Sequence, residues 1–156
     1  LGVLSNDEQQ KRISNKQILT KIRDMASSLK DKYIYINDLH YEHNLWLNEL
    51  RFYKEELGIL EGRLKEIISK NTDFEAEVGV ESFQNRFDLQ RDHISELKHR
   101  IKKHEQFLVN YAETHPIAID HVHFTDHTSI REDMERFVDL YQEMKKAFNR
   151  FAVKWM

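Results

Sequence analysis

The chain contains no cysteine. That removes disulfides, thiolate metal sites and cysteine nucleophiles together, and it fits a cytoplasmic protein. One proline and four glycines among 156 residues leave few points where a helix must break, so few and long helices are expected. No stretch approaches the ~18 consecutive apolar residues that a membrane span needs, and Leu1-Gly2-Val3-Leu4 has neither the basic nor the long apolar part of a signal peptide. Also missing are a glycine-rich phosphate loop, a nucleophile elbow and a kinase signature. The formal net charge is −3, and the most basic run, Lys98 to His104, spreads its cations around a helix. Nucleic-acid binding is not expected from that pattern.

What is present is periodicity. Ile36, Leu39, His43, Trp46, Leu50, Tyr53, Leu57, Leu60, Leu64 and Ile67 follow one another by alternating steps of three and four. This is a heptad seam, so a long helix with helical partners is predicted. A second row, Leu45, Phe52 and Ile59, widens the apolar arc beyond that of a two-stranded coiled coil and makes these three residues the candidate interface. Lys70-Asn71-Thr72-Asp73 breaks the pattern. Asn71 suits a left-handed helix end, and Thr72-x-x-Glu75 reads as a capping box, with Gly79 allowing a start one turn later.

A second seam runs from Phe83 through Phe87, Gln90, Ile94, Leu97, Ile101, His104 and Leu108 to Tyr111, until His115-Pro116 ends it. Residues 115–127 read as an extended connection pinned on the bundle's end. Ser129-Ile130-Arg131-Glu132 reads as the capping box of a last helix through Met134, Phe137, Tyr141, Met144, Phe148, Phe151 and Trp155. Upstream, Ile18, Ile22, Met25 and Leu29 suggest an N-terminal helix over residues 5–29. It either stops at a Ser28 cap or, because Lys32 keeps the seam's phase, continues into the next helix. The predicted architecture is all-α: an antiparallel up-down bundle of three long helices plus an N-terminal helix, divided as 1–29 and 30–156. The stretch Leu39 to Leu64 and the ending Phe148 to Met156 resemble small uncharacterised bacterial helical-bundle proteins from residue 36 onward. That resemblance implies the fold and transfers no functional residue.

Nine histidines are the compositional outlier. Protonating all of them would take the formal charge from −3 to −3 + 9 = +6, the ordinary behaviour of a His-rich surface in acid. His43 and His104 occupy seam positions, and the fold-back at 71–73 brings them to about one level. Each could be a neutral core histidine bonded to Tyr41, Glu105 or a neighbouring tyrosine, or the two could be a ligand pair. His40 stands one turn before His43. In the connection, His121-x-His123 with an extended backbone would place two rings on one side, and His127 could close a zinc set. Glu96-x-x-His99 has di-iron spacing, but Leu97 holds the seam, so that pair points outward.

Two functions follow from these patterns. One is a non-enzymatic interaction or structural module, a homo-oligomer or a partner of another helical protein, joined through the N-terminal helix and the Leu45/Phe52/Ile59 row. The other is a His-rich bundle that binds a divalent metal, zinc or iron, through some of His40, His43, His104, His121, His123 and His127.

Overall fold

The computed structural model describes residues 17–24, 34–115, 118–119 and 121–156, with the backbone alone at 34, 118–119 and 121–124. Helix α1 covers 17–24. A two-residue strand β1 (Ile34–Tyr35) leads into α2 (Ile36–Lys70), which is followed by α3 (Phe74–Thr114), strand β2 (Ala118–Ile119) and α4 (His121–Trp155). The protein is an all-α bundle, as the seams predict. Its long helices contain 35, 41 and 35 residues, or roughly 52 to 62 Å at 1.5 Å per residue. No described helix is long and apolar enough to cross a membrane.

All ten predicted seam residues of α2 are buried; those from Trp46 to Ile67 meet Phe83, Phe87, Ile94, Leu97 and Ile101 of α3 and Ile130 to Ala152 of α4 in one core, and Ile36 and Leu39 pack with Leu108 in a second, smaller cluster. Aromatic rings fill two of its layers. Tyr53 packs on Phe137 and Tyr141, and Phe83 and Phe87 pack on Phe148, with Phe151 beside Phe83. Such tilted and edge-on ring pairs add specificity to the area they bury.

The boundaries depart from the sequence reading in four places. First, a single helix through residues 30–36 does not form, because Ile34 and Tyr35 are extended and pair antiparallel with Ile119 and Ala118. Isoleucine and tyrosine favour the pleated conformation once a partner strand is at hand. The caps proposed at residues 5–7 and 28 lie outside the described residues. In α1, Ile18, Leu19 and Ile22 are exposed.

Second, Asn71 does not take the left-handed conformation; it is extended, with φ −124° and ψ 132°. Its amide instead donates to the carbonyls of Ile67 at 2.8 Å and Trp155 at 2.9 Å, which ties the end of α4 to the turn. Third, the N-cap of α3 is Asp73 rather than Thr72: its carboxylate accepts from the Glu75 amide at 2.8 Å. A carboxylate there also complements the helix dipole. Gly79 lies within this helix, at a position where the Phe151 ring occupies the space a side chain would need.

Fourth, α4 begins at His121, eight residues before the proposed cap at Ser129. Only Ala118 and Ile119 of the connection are seen as a strand. His121 and His123 therefore lie on helical backbone, where residues two apart are about 200° apart around the axis. The alignment that an extended segment would give them is absent.

Candidate metal centre

Each seam carries one histidine at the same level of the bundle. His43 follows Leu39 by four residues on α2, and His104 follows Ile101 by three on α3. His127 precedes Ile130 by three, so the early start of α4 extends its seam backwards by one step. All three are buried, with exposures of 1%, 6% and 0%. The ring centroids of His43 lie 5.1 Å from those of His104 and 4.8 Å from those of His127. One nitrogen from each lies within 4.8 Å of the other two, close enough for three buried histidines to hold one metal ion. The remaining side is apolar: Trp46 packs on both His43 and His127.

Carboxylates behind the triad decide which nitrogens face inward. Nδ1 of His43 lies 2.5 Å from Oε2 of Glu105. A carboxylate only accepts, so this nitrogen carries the hydrogen and Nε2 carries the lone pair. Nε2 of His127 lies 3.3 Å from Oε2 of Glu42, a contact that favours the hydrogen on Nε2 and the lone pair on Nδ1. Nε2 of His43 and Nδ1 of His127 face each other at 3.0 Å, and Nδ1 of His104 approaches the same His43 nitrogen at 3.2 Å. Between neutral rings such a contact is an N–H···N hydrogen bond to the lone pair of His43, and with the hydrogen of His127 turned to Glu42 the same nitrogens are set to share a cation. Around a tetrahedral zinc with Zn–N bonds of about 2.05 Å, ligand nitrogens sit about 3.3 Å apart. The two spacings from His43 are close to that value, and all three nitrogens lie within 4.8 Å of one another. A metal-bound histidine typically donates its other N–H to a carboxylate, which is the arrangement at His43 and His127.

The carboxylates are themselves held. Arg131 donates to both oxygens of Glu42, at 2.6 and 2.7 Å. Burial alone would raise the Glu42 carboxyl, but the hydrogen bonds from Arg131 and His127, and their charges, outweigh it and keep it below the usual range. The second oxygen of Glu105 accepts from Nδ1 of His40, whose Nε2 faces the Asn44 amide at 3.2 Å. Burial is also the leading influence on two of the imidazoles. It pushes His127 down to about 4, aided by His43 and His104 and opposed by Glu42. It also lowers His104, aided by His43 and opposed by Asp126 and Glu105. Nε2 of His104 is buried with no hydrogen-bond partner among the described residues.

Of the six candidate ligands, the structure brings together His43, His104 and His127. His40 is exposed and serves Glu105 instead of the triad, while the side chains of His121 and His123 lie outside what is described. Glu105 was foreseen as a partner of a core histidine and has that role for His43. Glu42 and Arg131 were missed. Their signal was available: Glu42 adjoins the seam residue His43, and Arg131 stands one helical turn after His127. The outward placement of Glu96 and His99 is as expected, since both are exposed. Leu45, Phe52 and Ile59 are exposed at 48%, 57% and 64%.

Fold and site together define an all-α bundle with a buried histidine triad backed by two carboxylates. No protein-family model, curated protein or solved structure matches the chain.

Proposed function

We propose that this bundle binds a divalent transition metal, zinc by preference, through His43 Nε2, His127 Nδ1 and His104. The observation that carries the reading is three buried imidazoles whose nitrogens converge, with those of His43 and His127 3.0 Å apart and a carboxylate on the far side of each. Metal-free, that contact is a hydrogen bond between neutral rings; with a cation the hydrogen of His127 would turn to Glu42 and each ring would offer a lone pair. Neutral imidazoles suit zinc, copper, iron and nickel, and a compact site in a close-packed core favours the tetrahedral preference of zinc. Glu42 and Glu105 supply negative charge one bond behind the ligands, offsetting the charge of the ion. Tag-free protein prepared without chelator should contain about one metal ion per chain by elemental mass spectrometry. Protein that carries no metal and takes none up on addition would contradict the reading.

A second reading rests on a different observation, the exposed apolar row of α2. Burying Leu45, Phe52 and Ile59 against a second copy would remove three large side chains from water, each worth roughly 1.5–3 kcal/mol when fully covered. The protein would then be a homo-oligomeric interaction module as well as a metal carrier. Light scattering of the full chain should give a dimer mass, and Phe52→Glu should return the monomer with its helical circular dichroism retained. A monomeric wild-type chain would exclude this reading.

A further inference from the structure

We propose that the ion held by the triad keeps one coordination position for a ligand from outside the protein, water or a small anion, reached from the groove between α3 and α4. This rests on the metal reading above. Structural zinc sites close with four protein donors, whereas three protein donors leave a position for an exogenous ligand. Among the described residues the triad supplies three. The two nearest carboxylates are committed elsewhere: both oxygens of Glu42 are on Arg131, and those of Glu105 are on His40 and His43.

The way in is also specified. A groove of about 330 Å³ runs along the outer side of His104, and Arg100, Lys103, Phe107 and Asp126 are among its lining residues. Arg100 reaches across to Asp133 and, at 3.3 Å, to the Ser129 hydroxyl. Trp46 covers the triad from the α2 side, so the groove beside His104 is the route that a small ligand would use. Two cations at its rim favour an anion over a cation. Asp126 is the one carboxylate among the described residues of the groove and the natural competitor for the same position.

The test uses the full chain loaded with cobalt(II), which takes zinc's place among nitrogen donors and whose visible absorption reports its coordination. Azide is the probe anion. The expected result is a saturable shift of the visible bands on azide addition, in the wild type and in Asp126→Asn. Lys103→Glu should weaken azide binding about fivefold, the scale of an exposed charge contact, with cobalt stoichiometry unchanged. A spectrum that azide shifts only in Asp126→Asn would make Asp126 the fourth ligand and overturn the proposal. A spectrum unmoved in both would show a closed site and overturn it too. Failure to bind cobalt at all would sink the metal reading, and this inference with it; cobalt bound without an azide response sinks this inference alone.

Discussion

His127→Ala should abolish the thermal stabilisation that zinc gives the wild-type chain. A ligand that binds only the native state stabilises it by about 4 kcal/mol at a thousandfold excess over Kd. For a chain of this size each kcal/mol moves Tm by about 2–4 °C, so zinc should raise the wild-type Tm by roughly 8–16 °C. Structural zinc sites bind with about 10–16 kcal/mol shared among their donors, so losing one donor should weaken binding by two to three powers of ten. Calorimetry of the variant with and without zinc should therefore give nearly the same Tm. Glu105→Gln makes the control: it keeps the size of the side chain and leaves all three ligands, so a milder loss of 10- to 100-fold is expected. A zinc response in His127→Ala equal to that of the wild type would place the ion elsewhere.

Acid should destabilise the chelator-stripped protein well before carboxylates titrate in bulk. Burial holds His127 near 4, against 6.5 for an ordinary imidazole. Between those values the unfolded chain binds a proton that the folded chain refuses. Stability is therefore whole above about pH 7 and falls as pH drops through 6.5 towards 4. The shift corresponds to about 3 kcal/mol. His104, also lowered by burial, acts with the same sign. Glu42, held below its usual value, adds a loss that begins only below about 4.5. Urea unfolding at pH 7.5, 5.5 and 4.5 should show the midpoint falling at each step, and His127→Phe should flatten the dependence. Equal midpoints at all three values would contradict the burial of His127 as a neutral ring. The same burial keeps the surface from reaching the fully protonated charge at mild acidity.

Each long helix was legible because its seam obeys one period. From Ile36 to Ile67 every a and d position is occupied by a large side chain, His43 included, and all are buried in the bundle. His43 and His104 could be placed at one level by counting from the turn at 71–73. The role of His127 could not be, because the apolar run of α4 is recognisable only from Ile130. The polar residues 121–129 contain nothing that outweighs Pro116 and the strand-like Ile117-Ala118-Ile119 as signs of an extended segment.

Helix content, the seams and the choice of buried rings belong to the sequence itself, since periodicity and helix breakers are local and act through the 3.6-residue turn. The tertiary structure decided the rest. Where α4 begins depends on β1 reaching across the chain to pair with β2. Which histidines form a triad depends on three helices arriving at one level. Whether those rings face each other with lone pairs depends on Glu42 and Glu105, each held on another helix's imidazole. Donor geometry is set between elements distant in sequence, and no spacing along one helix can encode it.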